Sequence, residues 1–257
     1  MLIKDLEQKM LKKFPEASAE DWDTTGLTSG DESEEITKVA VCLDPSLSAI
    51  KSANAKGCNL LVSHHPAYIG DIEEQPETNV IFDAPNYDVA LMNFHTALDV
   101  SKAGASALPD MLGLKQTKTL LPTYKTLGFG KICTLKSGKA TSLGVLANKC
   151  EKVFGRKPRL WGKANQKVSK IVTTTGSVGR LDDEVSVLQA ALDKKVDCII
   201  CGEVKYHDAI YMIENGLGII DLGHDISELP LVDVLYSALI DCGIDKKDII
   251  KIDQNNY

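Results

Sequence analysis

Histidines are the residues of this chain whose type and position most directly indicate chemistry. Four of the five follow on segments that we predict to be buried strands, namely His64, His65, His95 and His224. In open α/β sheets, ligands bind outside the carboxyl ends of the strands. The sequence therefore predicts that these imidazoles gather at one rim. The competing interpretation is that each histidine is a solvated or capped residue at the end of its own strand.

Two carboxylates extend this pattern. Asp99 lies four residues after His95, and Glu228 lies four residues after His224, a spacing that places both side chains of a pair on one helix face. Neutral imidazole nitrogens and carboxylate oxygens together suit Zn, Mn, Fe, Co or Ni. The two adjacent histidines diverge from a strand, so they suit two neighbouring ions, which a carboxylate such as Glu228 can bridge. Two cations roughly 3.5–4 Å apart can deprotonate a water molecule between them.

The elements that must position these residues alternate between strands and helices. We predict strands at 38–43, 59–63, 88–93, 126–136, 158–161, 170–174, 196–201 and 217–222. We predict helices at 2–14, from Asp44-Pro45 to Gly57, at 102–112 with an interruption at Pro109, and at 143–154, 182–195, 206–214 and 227–241. This alternation is typical of an α/β fold with mixed, mainly parallel sheets.

The two ends of the chain repeat one order of features. In each, a strand, a helix and a second strand come first, and a later strand end carries a histidine followed by a carboxylate. We interpret the repeat as an internal duplication; the alternative is that any two strand–helix–strand units look alike. The predicted organisation is a first α/β domain of residues 1–100 plus 225–257 and a second, duplicated unit of residues 101–224.

Composition narrows the classes of function. With 29 basic and 36 acidic residues, the formal charge of −7 argues against a generic nucleic-acid binder, which usually carries a basic stripe. No apolar run approaches the roughly 18–20 residues that span a bilayer, and the first residues lack the apolar stretch of a signal peptide. The seven cysteines lie mostly in apolar surroundings, as reduced core thiols do. We therefore expect a cytoplasmic protein that does not bind membranes.

Three weaker patterns accompany the histidines. The C-x-x-C at Cys198 and Cys201 lies in a predicted buried strand, where its side chains would point in opposite directions. The glycine-rich turn 176–179 could cradle a phosphate through its amides, or be only a tight strand-to-helix turn. The basic stretch 156–170 could contact phosphates, or be a solvated face.

Five segments together resemble the YbgI-like (NIF-three-like) family of dinuclear-metal hexamers, whose members are often called GTP cyclohydrolase 1 type 2. They occur in the family's order and cover nearly the whole chain. They are Trp22–Leu27 (similar to W-D-N-x-G-L), Ser63–Pro66 (S-H-H-P), His95–Asp99 (H-T-N-L-D), Cys201–His207 (T-G-E-x-K-Y-H) and Gly223–Glu228 (G-H-Y-x-S-E).

The resemblance implies a fold, an assembly and a site. The fold is two intertwined, duplicated three-layer α/β domains, and the assembly is a ring-shaped homohexamer with sites facing an inner cavity. Two divalent ions per chain, such as zinc or iron, are implied, with Glu228 as the bridge. The implied ligands are His64, His65, Asp99, His224 and Glu228. In the family pattern His95 is not a ligand and could donate a hydrogen bond or transfer a proton, and Glu203 is a candidate general base.

Three positions depart from the family's segments. Thr24 and Ala97 each replace an asparagine, and Asp225 replaces a tyrosine. The implied ligands are intact, but contacts to a substrate would differ, so the family's substrate is not transferred to this chain.

Two functions of different classes follow. The first is a metal-dependent hydrolase that attacks a nucleotide-like or phosphorylated small molecule with an activated water. The alternative is a metal-stabilised ring that serves as a scaffold or regulator for a protein or nucleic-acid partner. The net charge disfavours a nucleic-acid partner, while the basic stretch 156–170 is compatible with one.

Overall fold

The computed structural model describes residues 1–76 and 79–254 of the chain. Its helices are α1 (Ile3–Lys13), α2 (Leu47–Ala55), α3 (Val80–Asp83), α4 (Thr96–Asp99), α5 (Lys102–Met111), α6 (Leu143–Phe154), α7 (Val187–Asp193), α8 (Tyr206–Glu214) and α9 (His224–Asp241). Its strands are β1 (Gly26–Ser29), β2 (Val39–Cys42), β3 (Leu60–Ser63), β4 (Ala90–Asn93), β5 (Leu114–Tyr124), β6 (Leu127–Leu135), β7 (Thr141–Ser142), β8 (Arg159–Trp161), β9 (Lys167–Val168), β10 (Ile171–Thr173), β11 (Cys198–Cys201), β12 (Gly218–Asp221) and β13 (Ile249–Lys251). This mixed α/β architecture confirms the predicted fold class.

The chain divides into two compact units by its internal contacts. The first comprises Met1–Ser101 and the chain from Leu231 onward, and the second comprises Lys102–Pro230. The predicted division placed residues 225–257 in the first domain. In the structure residues 225–230 at the start of α9, with Glu228, lie in the second unit, together with His224.

The first unit is built on a five-stranded sheet in the order β1-β4-β3-β2-β13. All neighbours are parallel except β1, which pairs antiparallel with β4. Every residue of β2, β3 and β4 is buried, as expected for parallel strands that are covered on both faces. On one face, Ala49, Ile50 and Ala53 of α2 pack into the core.

The second unit is built on a six-stranded sheet in the order β5-β6-β10-β11-β12-β8, of which β10, β11 and β12 are parallel. Helices cover both faces. Leu188 of α7 and Met212 of α8 pack into one core, while Leu108 of α5 and Leu146 of α6 pack into the other. The unit therefore has three layers, as predicted.

Both sheets share one arrangement. Three parallel strands are neighbours in chain order, and an antiparallel strand pairs with the last of the three: β1 with β4, and β8 with β12. The strand beside the first of the three differs, because β13 is parallel to β2 and β6 is antiparallel to β10. The shared arrangement agrees with an internal duplication.

Several helix boundaries differ from the predicted ones. Helix α2 begins at Leu47 and not at Pro45, because the Ser46 hydroxyl accepts a hydrogen bond from the Ala49 amide. Helix α7 begins at Val187, five residues later than predicted, and is capped in the same way by Ser186. Helix α5 runs through Pro109 without the predicted interruption.

Helix α9 starts earlier than predicted, at His224 and not at Ser227. Pro230 therefore lies in its second turn and not in its first. A proline there removes one helical hydrogen bond. The helix nonetheless continues to Asp241, and its core residues Leu231, Leu235 and Leu239 are fully buried. Among the helices of the described residues, α9 included, none has the length and apolar character to cross a bilayer.

Candidate metal centre

Two neighbouring strand ends of the first unit carry three of the predicted residues. His64 directly follows β3, and His95 follows β4 after Phe94. Because β3 and β4 pair in parallel, their carboxyl ends lie at the same edge of the sheet. One potential ligand atom each of His64, His65 and His95 lies within 4.8 Å of the others. The predicted gathering of histidines is therefore present within this unit, and it includes His95.

His64 is oriented by the backbone carbonyl of Phe94, the residue that follows β4. Its ring is fully buried, and Nδ1 lies 3.2 Å from the carbonyl oxygen of Phe94. Since a carbonyl only accepts, Nδ1 carries the proton, which assigns Nε2 as the nitrogen with a lone pair. Nε2 lies 3.7 Å from Oδ2 of Asp99, at the end of α4. His64 and Asp99 thus present a nitrogen and an oxygen donor side by side.

His65 is oriented by a residue to which the sequence analysis gave a different role. Its Nδ1 lies 2.7 Å from Oδ1 of Asp44, so the carboxylate accepts the Nδ1 proton and Nε2 remains as the donor atom for a metal. Asp44 follows β2, the strand beside β3. The predicted helix start at Asp44-Pro45 concealed this role. Its position just after a strand end was the signal that could have revealed it.

His95 is held by Asp23 of the Trp22–Leu27 segment. Asp23 Oδ1 lies 3.1 Å from Nδ1 of His95, and Oδ2 accepts hydrogen bonds from the amide and hydroxyl of Thr96. Burial alone would raise the pKa of Asp23, but the hydrogen bond and charge of His95 and the hydrogen bonds from Thr96 together lower it. A carboxylate kept ionised in this way fixes the tautomer and angle of the imidazole.

The second unit carries the other predicted residues at the start of α9. Nε2 of His224 lies 3.2 Å from Oε2 of Glu228, one turn along the helix. Nδ1 of the same ring lies 3.3 Å from Oε1 of Glu203, which follows β11. Glu228 is only 2% exposed, whereas Glu203 is exposed. The predicted histidine–carboxylate pair on one helix face is therefore present.

Space for Glu228 depends on a glycine. A Cβ on Gly176 would lie 2.2 Å from Oε1 of Glu228 and 3.4 Å from Nε2 of His224. Gly176 also has a φ of +59°, where side chains are strained. Its carbonyl accepts hydrogen bonds from the amides of Gly202 and Glu203. Only glycine leaves the carboxylate and the imidazole in place here.

This bonding corrects one interpretation of the turn 176–179. The Gly176 amide donates to the Ser227 hydroxyl, the Val178 amide to the Glu203 carbonyl, and the Gly179 amide to the Ser177 hydroxyl. A phosphate cradle needs these amides for the ligand. The turn therefore positions the start of α9 and does not cradle a phosphate.

The structure also describes the start of the basic stretch and the cysteine pair. Arg156 forms a two-pronged ion pair with Asp225, the residue that departs from the family segment. Cys198 packs into one core of the second unit and Cys201 into the other, so they point in opposite directions, as predicted. Burial raises the pKa of both thiols well above the ordinary value, which disfavours the thiolate that a redox pair needs.

The residues present fit a divalent metal. In each unit an imidazole nitrogen and a carboxylate oxygen lie within 3.7 Å of each other. The rings of His64 and His65 are fixed through Nδ1 by acceptors, as metal-ligating histidines are. In the second unit, a glycine takes the place where any other side chain would displace Glu228. These features are typical of nitrogen–oxygen sites for Zn, Mn, Fe, Co or Ni.

Known proteins resemble this chain in sequence and in fold. A "GTP cyclohydrolase 1 type 2 homolog" of Lactococcus lactis subsp. lactis is 29% identical over 235 residues, covering 88% of this chain and 87% of that protein. A Bacillus cereus protein related to NIF3 has a TM-score of 0.86 at 18% identity, covering 100% of this chain and 97% of the other.

A hypothetical protein of Staphylococcus aureus has a TM-score of 0.84 at 23% identity and covers 100% of this chain and 99% of the other. At these identities the two solved structures establish the fold. The sequence model of the Duf34/NIF3 (NGG1p interacting factor 3) family matches residues 1–256. The chain therefore belongs to the Duf34/NIF3 family, as its histidine segments had indicated.

Proposed function

We propose that this protein is a dinuclear-metal-dependent hydrolase that acts on a nucleotide-like or phosphorylated small molecule. The observation that carries the proposal is the pair of preorganised donor sets, one in each unit. The first is His64 and Asp99 beside His65, and the second is His224 and Glu228. Sets of this chemistry are those of metal-assisted hydrolysis.

We propose that five side chains bind two divalent ions. They are His64, His65, Asp99, His224 and Glu228. Glu228 is the proposed bridge, since it is nearly fully buried and a carboxylate offers one oxygen to each of two cations. The ions are of the Zn, Fe, Mn, Co or Ni type, which accept both imidazole and carboxylate.

The chemistry divides between the ions and the chain. Bound divalent cations would lower the pKa of a water molecule and supply a nucleophile at neutral pH. His95, whose Nδ1 is held by Asp23, keeps Nε2 to accept or donate a proton. Glu203 lies against His224 and is exposed, so it is the second proposed proton-transfer group. Both are within reach of the donor sets, as general acid–base catalysis requires.

The substrate class rests on the relatives. The Lactococcus lactis protein is named for GTP cyclohydrolase 1 type 2, which favours a nucleotide-like molecule. Asp225 is paired with Arg156 here, where the family segment has a tyrosine. This difference lies next to His224 and leads us to propose only the class of substrate, not the individual compound.

Elemental analysis tests the proposal. We expect about two metal ions per chain in the wild type and a sharp loss in the variants His64→Ala and Glu228→Ala. Matched controls are His207→Ala and Glu214→Ala, which change the same residue types on α8 and should retain the metal. A screen of phosphoesters and nucleotides on the loaded protein should then detect turnover that is lost in both ligand variants.

Two results would contradict the proposal. The first is the absence of bound metal after reconstitution with Zn, Mn, Fe and Co. The second is metal that binds normally while the wild type shows no turnover and the ligand variants lose thermal stability or assembly. That second result would favour the metal-stabilised scaffold.

A further inference from the structure

A stack of three side chains lies on one face of the second sheet. β8 pairs antiparallel with β12, so that Arg159 lies opposite Asp221 and Trp161 opposite Ile219. Arg159 and Trp161 are two residues apart in the strand and share a face. The guanidinium carbon of Arg159 lies 3.8 Å from the Trp161 ring centroid, and the Tyr206 ring meets the same indole edge-on at 5.8 Å. We call these three residues the Arg159 platform.

The platform differs from the other arginine sites of the chain. Arg156 is bound to Asp225 and Arg180 to Asp182. Within residues 1–76 and 79–254, Arg159 forms neither an ion pair nor a side-chain hydrogen bond, although its side chain is exposed. Trp161 covers the guanidinium on one side, and the Arg159 side chain as a whole is exposed. An open guanidinium face stacks on flat rings and donates hydrogen bonds at its edge.

Tyr206 adds an exposed aromatic ring to this surface. It is 59% exposed, the second most exposed of the large hydrophobic side chains after Val145 in the described part of the chain. An exposed aromatic ring offers a flat apolar surface against which another ring can pack. Trp161, by contrast, is only 8% exposed, so it supports the other two residues from below.

The platform adjoins the donor set of the second unit. Asp221, opposite Arg159, accepts a hydrogen bond from the amide of Gly223, the residue before His224. Tyr206 begins α8 three residues after Glu203, whose carboxylate lies 3.3 Å from His224. The platform therefore lies on the strand pair and the helix whose neighbouring residues, Asp221 and Glu203, contact the segment that carries His224.

We propose that the Arg159 platform binds the flat heteroaromatic ring of the substrate, a ring of the nucleobase type. Arg159 stacks on the ring face and Tyr206 packs against it, while the donor set next to it takes the reacting group. The inference rests on the proposed function for the identity of the reacting group. The ring-binding step itself requires neither metal nor turnover.

Calorimetric titration with guanosine, a nucleoside that carries the ring but no phosphate, tests the platform. The full chain is titrated both as purified and after metal depletion. We expect guanosine to bind in both states and Arg159→Ala and Tyr206→Ala each to weaken binding by roughly five- to hundredfold, the range of base-stacking contacts. Matched controls are Lys157→Ala, from the same exposed segment, and Tyr211→Ala, an exposed tyrosine of the same helix. Both controls should bind guanosine as the wild type does.

The comparison separates the platform from the hydrolase. Guanosine binding that is lost only in the two platform variants supports the platform, whatever the result of the turnover screen. Absence of guanosine binding to the wild type, or equal weakening in the platform and control variants, overturns it. Circular dichroism of each variant checks that the fold is retained, as expected for exposed substitutions.

Discussion

At the scale of single residues, the acceptors behind the histidines decide which nitrogen can bind a metal. Asp44 holds Nδ1 of His65, and the Phe94 carbonyl holds Nδ1 of His64. Asp23 does the same for His95. Three imidazoles fixed in one tautomer need little reordering when a cation binds, which is why such supporting residues affect affinity strongly.

The first prediction concerns Asp44. In the variant Asp44→Ala, His65 loses its acceptor, and we expect metal affinity to fall by about 10- to 100-fold in competition with a coloured chelator. The fold should be retained, because the backbone of Asp44 is held separately by the side chain of Gln254. Asp71→Ala, which changes an exposed aspartate of the same unit, is the control. Equal affinities in the two variants would show that Asp44 does not support the site.

Residue spacing made the donors visible in the sequence but not their supports. The i, i+4 pairs and the S-H-H-P segment are local patterns, and they identify His64, His65, Asp99, His224 and Glu228. Asp23 and Asp44 act on residues 72 and 21 positions away. Such contacts arise from strand pairing, which a single sequence does not fix. The proximity of His95 to the other two rings, by contrast, was predicted, because all three histidines follow strand ends.

At the scale of elements, the loop after β10 controls where α9 can begin. The side chains of Glu228 and His224 occupy the space that a Cβ on Gly176 would need. The Gly176 amide donates a hydrogen bond to the hydroxyl of Ser227 in the first turn of the helix. The amides of Gly202 and Glu203, which follow β11, donate hydrogen bonds to the carbonyl of the same glycine. One residue thus joins two strand ends to the helix that carries two proposed ligands.

The second prediction compares two glycines that share a positive φ. Gly138→Ala, at +68° with open space around it, should cost about 1–2 kcal/mol of unfolding free energy, which is the strain alone. Gly176→Ala, at +59°, should cost more and should also release metal, because its methyl group displaces the Glu228 carboxylate. Chemical denaturation and elemental analysis measure both effects. Equal stabilities and metal contents in the two variants would contradict it.

Elements with a clear hydrophobic rhythm were predictable, and edge elements were not. The buried strands β2, β3, β4, β11 and β12 and helix α8 lie where the sequence placed them. β5 was missed because its residues are mostly exposed or half-buried and include Pro122, so no apolar period marks it. β1 and β13 are short edge strands whose existence depends on their partners. Helix α7 was predicted too long because its cap, Ser186, lies inside the amphipathic stretch.

At the scale of the whole molecule, the third prediction concerns assembly. We propose a homohexamer, as the resemblance to the family implies. Light scattering should give a mass of six times the 27.9 kDa chain. The variants Arg159→Ala and Tyr206→Ala should have the same mass. Sedimentation at several concentrations is the control for weaker association. A monomer or dimer throughout that range would refute the proposed ring.

The division of the chain has a consequence for its synthesis. The first unit is interrupted by the second, and its sheet is completed only when β13 pairs with β2 through Ile249 and Val39. A ribosome therefore releases the whole of the second unit before the last strand of the first sheet exists. Domains fold as units while the chain is made, so the second unit can be native while the β2 edge of the first still awaits its partner. During that interval the β2 edge is open to wrong pairing, and the pairing of β13 with β2 ends it.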